Sequence, residues 1–193
     1  MAYILSATTN TNSLLTYDHD ASEDHRSFLA GEPVLGCGDI EYRINKKSQI
    51  KTISKSHVIA STGPTLFSRE LRTLIERLAP DEVEFFDAKL SFEDQTVEGF
   101  SAVNPLSMLG CVDMEKSEFK LMNFDPANPE YMFYYQVLLA EIPTGALIAT
   151  CKEHPRQIIV GPSIKEACQS AGLQGLRFCR ALDITPQDRS VCE

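Results

Sequence analysis

None of the six cysteines forms a C-x-x-C pair, and the sequence holds no Walker A, G-x-G-x-x-G or G-x-S-x-G segment. The first absence removes the commonest zinc signature. The others remove the glycine-rich phosphate cradles and the nucleophile elbow of serine hydrolases. There is no tandem repeat, low-complexity tract or Pro/Gly/Ser linker, so neither a solenoid nor a domain boundary is indicated. The start, "MAYILSATTNTNS", lacks the basic region and the apolar run of a signal peptide. "YMFYYQVLLA" and "IPTGALIATC", the most apolar later stretches, are each about half of the roughly 20 residues that span a bilayer. These absences lead us to expect a cytoplasmic protein with no membrane partner.

What is present suits a globular chain. With 193 residues and 43% hydrophobic content, one domain over 1–193 is expected. Without an export signal, Cys37, Cys111, Cys151, Cys168, Cys179 and Cys192 are expected to be reduced thiols, several of them buried. "LGCGD" at Leu35 and "LGCVD" at Leu109 share a pattern, but their flanks differ and we read the match as coincidence.

The net charge of −9 is unevenly spread. Asp18 to Glu32 carries five acids against Arg26, and Asp81 to Glu118 carries ten acids against Lys89 and Lys116. Between them Arg43, Lys46, Lys47, Lys51 and Lys55 form a basic run. A nucleic-acid partner calls for a dominant basic face, which this balance argues against. An acidic protein can instead steer a basic protein partner.

"AYIL" reads as a first strand and "DIEYRI" alternates with period two as a strand, with further short strands at "IKTIS" and "HVIA". A helix is expected over Thr65–Ala79, where Phe67, Leu71, Leu74, Ile75 and Leu78 share a face and Pro80 ends it. "EVEFFDAKL" and "QTVEGFSAV" read as paired strands, followed by extended segments at "YMFYYQVLLA", "ALIATC" and "QIIV". A second helix is expected over Ser163–Ala171, with Ser163 and Glu166 as a capping box and Gly172 as its left-handed stop, before a strand at "LRF". The expected fold is α+β: a mostly antiparallel sheet with two main helices.

"YDHDASEDHR", from Tyr17 to Arg26, concentrates four carboxylates and two imidazoles and has no residue expected to anchor a core. His19, His25 and these acids are possible ligands for a divalent ion, but no secondary structure fixes their spacing. Cys37 sits between two glycines, a setting some nucleophilic cysteines share. His57 and His154 have no companion residues nearby in sequence. This reading expects no catalytic residues, no metal ligands and no cofactor.

Three segments, "SRELRTLIERLAPDEVEFFDAKL", "NPLSMLGCVDMEKSEF" and "RQIIVGPSIKEACQSAGLQGLRF", give the chain its resemblance to a known family. From about Thr65 to Arg180 it resembles the eleventh numbered immunity-protein family of bacterial polymorphic toxin systems, formerly a domain of unknown function. The resemblance implies a cytosolic bacterial protein that binds and neutralises its own cognate toxin, one delivered by contact-dependent or type VI machinery. It carries over no contact residues. On charge alone, Asp18, Asp20, Glu23 and Asp24 are candidates for contact with a basic toxin face, with the acidic strands from Glu82 to Glu98 as the competing surface. The rival readings are a small hydrolase using a metal in the acidic loop or Cys37, and an adaptor for a secretion component.

Overall fold

Short apolar stretches separated by polar turns build fourteen strands and three helices among the described residues of the computed structural model, which are 1–8, 14–122, 130–140, 145–185 and 187–193. In chain order the strands are β1 Tyr3–Ala7, β2 Thr16–Tyr17, β3 Glu41–Arg43, β4 Val58–Ile59, β5 Leu66–Ser68, β6 Val83–Phe92 and β7 Gln95–Pro105. They continue as β8 Met108–Leu109, β9 Glu118–Met122, β10 Glu130–Val137, β11 Ile148–Cys151, β12 Ile158–Val160, β13 Leu176–Asp183 and β14 Val191–Cys192. The helices are α1 Lys47–Ile53, α2 Arg69–Leu78 and α3 Pro162–Ser170.

One sheet has the order β8-β11-β12-β1-β13-β10-β9, with β14 on β13, and the other has the order β2-β3-β6-β7-β5-β4. The described pairings are antiparallel except β11–β8 and β3–β6, in keeping with the expected α+β class. Alternation along β1 decides its two faces: Tyr3, Leu5 and Ala7 point to one apolar cluster, Ala2 and Ile4 to another. The first cluster joins both sheets to both long helices. It contains Phe178 of β13, Phe67 of β5 and Val103 of β7, with Leu71 and Ile75 of α2 and Ile164 and Cys168 of α3. A polar tie runs alongside it, where the Glu82 carboxylate, at the entry to β6, accepts from the backbone N–H groups of Leu147 (2.6 Å) and Ile148 (3.1 Å) at the start of β11.

Four local expectations change. The stripe that suggested a helix from Thr65 is a helix only from Arg69. Leu66–Ser68 is instead the strand β5, paired with β4 and β7, and the Ser68 hydroxyl caps α2 by accepting from Leu71 N–H. "IKTIS" lies largely in α1, because Ile50 and Ile53, three apart, reach the same core from one helix face. α3 starts at Pro162 with Gly161 as its cap residue, so Ser163 lies inside the first turn and makes no cap bond. Its expected stop stands: Gly172 has a φ of +66°. Finally, Cys179 and Cys192 form a disulfide, because the pairing of β13 with β14 sets them directly opposite each other.

Candidate functional site

The acidic stretch is anchored more firmly than its composition suggests. Tyr17 is buried, donates its hydroxyl hydrogen to the Glu23 carbonyl at 2.6 Å, and packs edge-on against Tyr42, His19 and His25. Burial pushes its phenol up to about 12. Ser22 and Glu41 exchange hydrogen bonds, Glu23 N–H donates to Asp39 carbonyl, and Asp18 N–H donates to Glu41 carbonyl, so the segment lies flat along β3.

Its four candidate carboxylates divide into two pairs. Asp18 accepts from Arg43 Nε at 2.9 Å, and this charged hydrogen bond holds its carboxyl below the ordinary value. Asp24 caps the short 3₁₀ turn His25–Leu29 and accepts from the Arg26 backbone and guanidinium. The Arg26 hydrogen bonds bring Asp24 down to about 2. Asp20 and Glu23 have no ion-pair partner among the described residues. The charge open to a partner is therefore half of what the sequence displays.

The competing acidic strands are also partly committed. Glu82 ties the sheets together, Glu84 accepts from Val34 N–H and Asn104 Nδ2, and Asp87 pairs with Arg72 at 2.7 Å. Between α2 and the β6–β7 hairpin lies a groove of about 610 Å³ that mixes Arg69, Arg72 and Lys89 with Asp87 and Glu98. Gly99, with a φ of +89°, bends its floor opposite the register shift at Ala88–Leu90. Ser101 Oγ donates there to Asp87 Oδ1 at 3.2 Å and accepts from Arg72 Nη1 at 3.0 Å, so the hydroxyl and the carboxylate are both held by the arginine, and no histidine or cysteine is among the lining residues.

The features behind the enzyme reading do not assemble. Burial raises the Cys37 thiol, and its hydrogen-bond partner among the described residues is the Gly38 carbonyl at 3.5 Å. That is the opposite of an activated thiolate. The loop's imidazoles and carboxylates do not form a group of three within ligating distance among the described residues. The group that does converge is Cys111, Cys151 and Glu153. Residue reading missed it because the two cysteines are forty positions apart and meet only through the β8–β11 pairing. The two cysteines of the shared "LGC" pattern sit in different settings, Cys37 half-exposed and Cys111 buried.

Against these features stand two comparisons with known proteins. Comparison with curated proteins found no match. No helix among the described residues is long and apolar enough to cross a membrane. A family model described as "Immunity protein family (Imm11)" matches residues 41–183, from β3 through β13, leaving the acidic loop ahead of the matched span. The chain therefore belongs to the Imm11 immunity protein family, whose general role is protection against a toxin.

Proposed function

We propose that this chain acts as one domain in the bacterial cytoplasm, and that it binds and neutralises a single cognate toxin delivered by contact-dependent or type VI machinery. It does so stoichiometrically and without catalysis. The observation that carries the reading is the family match across most of the chain. The acidic loop supports it physically: Asp20 and Glu23 are presented on a backbone already fixed to β3, so little ordering is needed on binding. Open carboxylates on such a platform steer a basic face of the toxin and raise the association rate.

Steering is not holding. Stable complexes need apolar or aromatic anchors, and the β9–β10 edge exposes Phe119 and Leu121 on one face of the sheet, with Met132 exposed on the other. This favours a second contact surface there, used with the loop or in its place.

The test is coexpression of the chain with the toxin encoded beside it, followed by copurification and binding kinetics. Growth rescue and a one-to-one complex are expected. Replacing Asp20 and Glu23 with Asn and Gln should slow association and flatten its salt dependence, whereas Leu121→Asp should speed dissociation. A chain that neither rescues growth nor retains the toxin would overturn the proposal.

A further inference from the structure

Cys111 and Cys151 are both fully buried, with their sulfurs 3.4 Å apart. Glu153 turns back over them. Its Oε2 stands 3.5 Å from Cys151 Sγ and accepts from Cys111 N–H at 3.1 Å. Three donors on two chain segments thus face one point, and all lie within 4.8 Å of one another. A tetrahedral zinc ion, with Zn–S of about 2.3 Å and Zn–O of about 2.1 Å, separates neighbouring donors by roughly 3.6–3.8 Å. The Cys111–Cys151 spacing of 3.4 Å and the Cys151–Glu153 spacing of 3.5 Å come within a few tenths of an ångström of that.

The frame is rigid. Leu139 N–H donates to Cys111 carbonyl, Lys152 N–H to Leu109 carbonyl, and Cys151 N–H to Gln157 carbonyl, each at 2.9 to 3.0 Å. The hairpin from Cys151 to Gln157 is closed by His154 N–H on Cys151 carbonyl. Outside the donors, buried Gln136 places Nε2 3.9 Å from Cys151 Sγ and Oε1 3.3 Å from His154 Nδ1. The His154 ring in turn stacks on Phe133. A supporting layer of this kind holds ligands in place around a metal.

Charge supplies an independent argument. Among the described residues no Lys, Arg or His nitrogen lies within ion-pair distance of the half-buried Glu153 carboxylate, whose neighbours are the Cys111 N–H and the Cys151 thiol. A half-buried carboxylate that has a backbone donor but no cation still carries a modest desolvation cost. A bound cation removes that cost, whereas a Cys111–Cys151 disulfide would not.

We propose that Cys111, Cys151 and Glu153 bind one thiophilic divalent cation of the zinc class, which pins the segment after β8 to the β11–β12 hairpin. On binding, the two thiol protons leave to solvent and the sulfurs bond the ion as thiolates. The role is structural and needs no toxin, so it stands or falls separately from the immunity reading.

The experiment uses the full chain carrying Cys37→Ser, to remove the partly exposed thiol, freed of metal by a chelator and titrated with Co²⁺. One equivalent should give a thiolate-to-cobalt charge-transfer band and the visible bands of a tetrahedral ion, both displaced by Zn²⁺. Cys151→Ser should abolish the charge-transfer band, Glu153→Gln should weaken binding about tenfold or more, and Cys168→Ser should change neither. No tetrahedral spectrum from the folded parent chain would overturn the proposal, whatever the variants do. So would intact-mass evidence that freshly isolated chain carries a Cys111–Cys151 disulfide.

Discussion

Arg43, on β3, reaches across to Asp18 and holds its carboxylate at 2.9 Å from Nε, pinning the acidic loop to the first strand of the family-matched region. Because Arg43 is mostly exposed, the pair contributes little to global stability and much to local order. Arg43→Gln should leave the denaturation midpoint nearly unchanged. Amide exchange at Asp18 and Asp20, whose N–H groups bond to Glu41 carbonyl and Asp18 Oδ1, should quicken. Hydrogen exchange read by mass spectrometry checks this.

Two serines at helix starts should behave oppositely. Ser68 accepts from Leu71 N–H at 3.3 Å and is hydrogen-bonded to His57 Nδ1 at 2.7 Å, so Ser68→Ala should cost about 1 kcal/mol or more in denaturant unfolding. Ser163 is exposed and caps nothing, so Ser163→Ala should be neutral within about 0.5 kcal/mol.

The disulfide between Cys179 and Cys192 closes a short loop and fastens β14 to β13. In the loop-entropy account a closure of this length is worth about 3 kcal/mol. Reductant, or Cys192→Ser, should lower the melting temperature and free the end of the chain to proteolysis. Equal melting curves with and without reductant, with reduction verified by mass, would refute this.

Asp183 sets an acid limit. Burial pushes its carboxyl up, but hydrogen bonds from the Thr185 hydroxyl and the Arg189 side chain and backbone outweigh it and hold it well below the ordinary 3.8. A carboxyl depressed in the folded state adds stability that is fully present above the unfolded value and lost as pH falls through the folded one. Asp183→Asn should therefore lower the urea midpoint at pH 7, and the gap to the parent chain should narrow progressively below pH 3.8. Midpoints measured from pH 7 down to about pH 2 test the sign.

Much of this architecture was legible where the sequence repeats a period without competition. The β6–β7 hairpin was readable as two strand-like runs joined at a polar turn, and the core face of α3, Ile164 with Cys168, from its spacing. Errors arose where two patterns overlap. Phe67 continues the helical stripe of Leu71 and Leu74 yet sits in β5, because Ser68 caps the helix behind it. Tyr17 looked like part of a solvated loop, since nothing local says that Tyr42 lies beneath it. The two cysteine pairs escaped notice for the same reason, since Cys179 with Cys192 and Cys111 with Cys151 are brought together by strand pairing rather than by sequence spacing.

The placement of β1 orders events during synthesis. Its five residues are made well before both of its neighbours in the sheet, β12 and β13. The smaller sheet, complete by Pro105, can close while translation continues, whereas the larger one must wait for its final strands. The central strand of the larger sheet is therefore fully paired only once β13 has been made. A message truncated anywhere before β13 leaves β1 without one of its two partners.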